Sequence, residues 1–112
     1  SLYLLLVVLD HSRAGTWVNL GIAEHLGGKL NRALNAFALA TWEAPEDPVP
    51  SLHLADCYIE CDRIDDAVRA LSMAAESVGE DPNHKRLREQ AEQLRKALVT
   101  KHAGKVKRGG NG

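Results

Sequence analysis

Residues in this chain recur at a fixed offset of 34 positions, and that offset constrains the fold more than any other feature. Trp17, Leu20, Gly21, Ala33, Phe37, Ala40 and Pro45 set out a pattern of large and small residues. Adding 34 to each gives Ser51, Leu54, Ala55, Ala67, Leu71, Ala74 and Gly79. Large and small positions stay in register even where the residue changes. Subtracting 34 from Phe37 and Ala40 lands on Tyr3 and Leu6, within the apolar run Leu2 to Leu9. A unit this short cannot bury its apolar face alone, so such units stack on their neighbours and share one continuous core.

Within each unit the apolar residues follow helical spacing. Leu30, Ala33, Leu34, Phe37 and Ala40 form one stripe, and Ile64, Ala67, Val68, Leu71 and Ala74 repeat it. Alanine at 33, 40, 67 and 74 allows close helix approach. The spacing W-x-x-L-G, A-x-x-x-F and P matches the tetratricopeptide helix-turn-helix unit. The expected fold class is therefore all-α, a tetratricopeptide-repeat array of αα-hairpins with a C-terminal capping helix. Helices are expected at 2–10, 14–27, 30–43, 48–61, 64–77 and 83–101. These give a tetratricopeptide-like domain over 1–102, with the second helix of a first repeat at 2–10, full repeats at 14–45 and 48–79, a cap at 83–101 and a disordered tail at 103–112.

Local signals set the helix ends. Asp47-Pro48 and Asp81-Pro82 each offer a capping carboxylate followed by a backbone angle already set for the first turn. Gly27-Gly28 closes the helix of Trp17, because glycine enters the left-handed region without a Cβ clash; the second unit has Asp62 where Gly28 would recur. Leu87, Ala91, Leu94 and Leu98 share one side of the last helix, which suits a cap over the final repeat. The run Leu2 to Leu9 lacks a polar face, and the reading is of a truncated array or a homodimer formed through its front.

Charge is divided along the 112 residues. Residues 1–80 hold 5 Lys or Arg against 12 Asp or Glu, and residues 81–112 hold 9 against 3. The basic end has no interleaved aromatics for base stacking, so no nucleic-acid partner is expected. The apolar run of eight residues falls short of the roughly 20 that span a membrane, so no membrane insertion is expected. Cys57 and Cys61, four apart on one helix, suit a reducing cytoplasm. His53, Cys57 and Cys61 cannot share one zinc ion, because eight helical residues span about 12 Å. Gly27-Gly28-Lys29 lacks the spacing, the following Ser or Thr and the preceding strand of a phosphate loop. No nucleophile, base and orienter come together in the pattern. The expectation is a binding protein, not an enzyme, with no cofactor and no metal.

Two segments carry a more specific resemblance. Leu9-Asp10-His11 ahead of the Trp17 helix, and Asp47-Pro48 followed by His53-Leu54-Ala55-Asp56-Cys57, resemble the class II type III secretion chaperones, the SycD/LcrH group, over roughly residues 3–100. The chain departs from that pattern in placing Pro50 three residues before the histidine, in Leu52 where phenylalanine is usual, and in Asp62 where the group has glycine. The group also has an N-terminal helix and a first helix of its first repeat, involved in self-association, ahead of where this chain starts. The resemblance implies a bacterial cytoplasmic chaperone that keeps hydrophobic secreted translocator proteins soluble and secretion-competent. It further implies that a short extended segment of the form P-x-L-x-x-P lies in the concave groove.

In this architecture the first helix of each pair faces the concavity. By period the inward positions are Val18, Asn19, Ile22, His25 and Leu26, then Leu52, His53, Asp56 and Ile59. The aliphatic members offer apolar pockets, and the polar members can pair with a peptide backbone. The alternative for each is packing against the adjacent helix, and His53 in particular can instead satisfy neighbouring groups. Two further readings share the fold: a general tetratricopeptide adaptor, and a needle-subunit chaperone or scaffold of a secretion system. Carboxylate-capturing adaptors use Lys, Arg and Asn on the inward positions, where this chain has only Asn19.

Overall fold

The computed structural model describes residues 12–79 and 81–110, with side chains as far as residue 101. The helix expected at 2–10, with Tyr3 and Leu6, and the stretch Leu9-Asp10-His11 lie outside the described residues. Five α-helices follow in order: α1 (Arg13–Leu26), α2 (Leu30–Glu43), α3 (Pro48–Glu60), α4 (Ile64–Val78) and α5 (Lys85–Gly110), with a 3-10 turn at Pro82–His84 before the last. Among the described residues the regular structure is all helical. Each helix packs on the next, so α1 with α2 and α3 with α4 form two hairpins stacked side by side.

Caps start the first helix of each hairpin. The Ser12 hydroxyl accepts from the Gly15 amide at 3.0 Å, and the Asp47 carboxylate accepts from Val49 N–H at 3.0 Å with Pro48 as the first helical residue. Asp81 accepts from Asn83 N–H at 2.9 Å and opens the 3-10 turn that leads into α5. The second helices, α2 and α4, have no side-chain cap. They start directly from a turn that is the same in both hairpins. Gly28 at φ +77 and Asp62 at φ +59 hold the left-handed position. Lys29 N–H then reaches the Glu24 carbonyl and Arg63 N–H the Tyr58 carbonyl, each at 2.8 Å, closing two Schellman turns.

The core is built from alanines and two larger anchors. Ala33, Phe37 and Ala40 of α2, and Ala67, Leu71 and Ala74 of α4, are fully or almost fully buried, joined by Ala55 and Cys57 of α3. The alanines bring the helix backbones close enough for Phe37 to reach α1. A Cβ on Gly21 would sit 2.5 Å from the Phe37 ring, so only glycine lets the aromatic lie flat against that helix. On its other side the ring stacks on His53, with centroids 4.7 Å apart and planes within 7°.

The last helix corrects one expectation. Residues 103–110, read from sequence as disordered tail, continue α5 to Gly110, giving 26 residues and a length of about 39 Å. Helix elongation adds a hydrogen bond for each residue fixed, and no proline stops it between Lys85 and Gly110. Ala91 and Leu98 bury against the preceding hairpin, and Leu87 is half-buried there.

Candidate peptide-binding face

The first helices of the two hairpins, α1 and α3, stand next to each other and are tied through one side chain. His25, in the last turn of α1, reaches across to α3, where its Nε2 pairs with the Glu60 carboxylate and its Nδ1 lies 3.8 Å from the Cys57 sulfur. Burial, the carboxylates of Glu60 and Asp56, and Cys61 push the Cys57 thiol up to about 12, so it is protonated at neutral pH. A thiol held neutral in this way is no nucleophile.

Around this link lie half-buried and exposed residues of both characters. Ile22 and Ile59 are half-buried, and Leu26 is 76% exposed at the end of α1. Asn19 is exposed, and Asp56 is half-buried within electrostatic reach of His25 and Glu60. Burial raises the Asp56 carboxyl above its ordinary range, with Glu60 adding to the rise and His25 opposing it. The face thus alternates aliphatic patches with carboxylates, and His25 is tied into the carboxylate set. An extended peptide can rest its side chains on the aliphatic patches and turn its backbone N–H groups to Asp56 and Glu60.

Three of the nine residues read from sequence as groove lining are placed otherwise. Val18 and His53 are each 2% exposed and Leu52 is 3% exposed, so all three belong to the core. Val18 and Leu52 occupy equivalent positions 34 residues apart, and the neighbouring helices cover both. His53 is committed to the Phe37 ring. Asn19, Ile22, His25, Leu26, Asp56 and Ile59 remain on the α1 and α3 face. Glu60, which sequence reading missed, joins them on α3 through its pair with His25. Glu60 and Leu94 follow Leu26 at successive offsets of 34, and Leu94, read as part of a cap, is 39% exposed.

Among the described residues no three of His, Cys, Asp and Glu come together to hold a metal, and no helix is long and apolar enough to cross a membrane.

The tetratricopeptide repeat model matches residues 24–91, more than half of the chain. This chain is a tetratricopeptide-repeat protein. No curated protein matches its sequence. Among solved structures, the repeat array is similar to the type III secretion translocator chaperone SycD of Yersinia enterocolitica, with a TM-score of 0.74, 22% identity, and coverage of 90% of this chain and 70% of SycD. SycD in complex with a peptide of the translocator YopD aligns with a TM-score of 0.73 at 22% identity, over 89% of this chain and 76% of that one. PcrH, a Pseudomonas aeruginosa protein, in complex with the chaperone binding region of PopD gives a TM-score of 0.75 at 22% identity, over 89% of this chain and 75% of PcrH. At these identities the likeness establishes the fold of the tetratricopeptide array.

Proposed function

We propose that this tetratricopeptide array is a type III secretion chaperone that holds an extended apolar segment of a translocator across the α1 and α3 face. Translocators carry membrane-inserting apolar segments, and an exposed apolar surface of that kind aggregates unless it is covered. Binding keeps the partner soluble and ready for export from the bacterial cytoplasm, with no covalent step and no cofactor. The observation that carries the reading is the make-up of that face: Ile22, Leu26 and Ile59 interleaved with Asn19, His25, Asp56 and Glu60, in a fold whose solved neighbours include complexes with translocator segments. A dimer belongs to the same reading, since SycD is also described in an alternative dimer. An adaptor that captures a C-terminal carboxylate fits this face poorly, because Asp56 and Glu60 would repel the incoming anion.

A fluorescently labelled peptide containing P-x-L-x-x-P tests this. Replacing Ile22 and Ile59 together by Glu places charge on half-buried aliphatic side chains whose inner atoms pack against the core, and each change alone has a smaller effect. The double variant is expected to lose at least about 100-fold in affinity, roughly 2.7 kcal/mol, with its helical circular dichroism intact. Unchanged affinity in a folded double variant overturns the assignment of the face. Stronger binding of a helical needle-subunit peptide than of the extended one favours the scaffold reading.

A further inference from the structure

Residues of α2 and α4, with one of α3 and the loop between α2 and α3, line an apolar hollow that uses none of the residues of the peptide-binding face. It measures about 560 Å³ and is lined by Ala38, Thr41, Trp42 and Pro45, with Leu54 and Met73 completing it. Pockets that take ligand groups span roughly 300–1,000 Å³, so this one holds more than a single side chain. Ala38 is the reason for the space, since a longer residue there would fill it. Trp42 is 84% exposed and Met73 42% exposed, and a second shallow hollow on the far side of Trp42 runs past Leu39. A large indole left in water between two apolar depressions is the pattern of a contact surface.

The charge around it selects the partner. The hollow continues past Thr41, Pro45 and Met73 to Glu76, and exposed Glu46 follows Pro45. The last turn of α2 holds no basic residue, so its carbonyl end adds negative partial charge beside Trp42. No Lys or Arg lines these hollows among the described residues, and Arg69, one turn before Met73, is held by Asp66 at 2.5 Å. The hollows are lined by Asn35, Ala38, Leu39, Trp42 and Met73, with Asn35, Ala38 and Trp42, and Ala38 and Thr41, at helical spacing along α2, which suits a partner helix laid along them with apolar side chains at i, i+3 or i+4 and i+7. We propose that the α2 and α4 face docks an amphipathic helix of a partner protein whose apolar ridge enters the hollow at Ala38 and whose Lys or Arg flanks meet Glu46 and Glu76. The acidic rim disfavours an anionic lipid surface at the same place. This site is independent of the α1 and α3 face and stands whether or not that face binds a translocator.

The probe is an 18-residue peptide of leucine and lysine at helical spacing, titrated into the Trp17→Phe protein so that Trp42 is the remaining tryptophan. A saturable blue shift of Trp42 emission is expected, with at least tenfold weaker binding for the same peptide carrying glutamate in place of lysine. Glu46→Lys with Glu76→Lys should weaken the lysine peptide at least tenfold, and Ala38→Phe should fill the hollow and abolish the shift. Ile22→Glu with Ile59→Glu should leave the shift unchanged, which separates this site from the other face. Circular dichroism confirms that each variant is folded. Equal affinity for the two peptides, or unchanged binding by a folded Ala38→Phe protein, overturns the proposal. So does self-association in sedimentation that Trp42→Ser dissolves, or a larger shift with phosphatidylserine vesicles than with the peptide.

Discussion

The two hairpins trace the same path with different residues. In the first, Gly21 of α1 lies against the Phe37 ring, and glycine at 28 makes the turn. In the second, Ala55 and Leu71 hold the equivalent buried positions, and Asp62 makes the turn at nearly the same positive φ. Volume moves from one helix to the other while the sum across the contact stays similar: a ring demands glycine opposite it, and a leucine leaves room for a methyl group. Aspartate tolerates the left-handed turn because its short polar side chain bonds locally, although less cheaply than glycine. What the repeat conserves is therefore spacing between helix axes, and the residues are free to vary around it.

The largest expected effect comes from the positions where the hairpins do not differ. Ala33 and Ala67 are both fully buried and 34 residues apart. Ala67→Glu or Ala33→Glu puts an unpaired carboxylate where helix backbones touch, at a cost of several kcal/mol, about 3–5. Because each hairpin is covered only by its neighbours, either change should remove most of the helical circular dichroism at 25 °C. A folded Ala67→Glu protein beside an unfolded Ala33→Glu one would mean that the two hairpins are not equivalent in packing.

A middle-sized effect sits where they do differ. Gly21→Ala should destabilise by about 1–3 kcal/mol, because the added methyl meets a ring pinned by His53 on its other side. Phe37→Leu alone should cost about 1 kcal/mol or more through the space it leaves. Together they recreate the pairing of Ala55 with Leu71, and the double variant should be more stable than the sum of the single changes by about 1 kcal/mol. Urea unfolding of the four proteins measures this coupling. Strict additivity would show that the exchange of volume between the hairpins is coincidental.

These contrasts explain what was readable in the residues alone. The offset of 34, the alanine positions and the Asp-Pro caps are local or periodic, and they expose the all-helical repeat fold directly. Depth is neither local nor periodic. Val18 and Leu52 lie on the same first helices as Asn19 and Asp56, but burial depends on which neighbour covers them. His53 was readable as a polar residue facing a peptide and turns out to be half of a ring stack, because its partner Phe37 lies 16 residues earlier on a different helix. The hollow at Ala38 was hidden for the same reason: it exists through the relation of Trp42 and Pro45 to Leu54 and Met73, which belong to separate helices. Glu60 and Leu94 did carry a signal, since both continue the offset from Leu26.

The smallest effect separates the hairpins by charge. Ile22 of the first corresponds to Asp56 of the second, so one hairpin offers a hydrocarbon and the other a titrating group at the same position. Burial raises the Asp56 carboxyl above 3.8 in the folded protein, Glu60 of α3 adds to this, and His25 of α1 opposes it when charged. A folded state that holds its proton more tightly than the unfolded chain loses stability as pH rises from the ordinary carboxylate value through the raised one. The Asp56→Asn protein has no such loss. Its urea midpoint should equal that of the parent below about pH 4 and exceed it at pH 7, by less than about 1 kcal/mol because the group is only partly buried. A gap that stays constant from pH 3 to pH 7 would place Asp56 in ordinary solvent, and the first and second hairpins would then present the same electrostatic environment at this register.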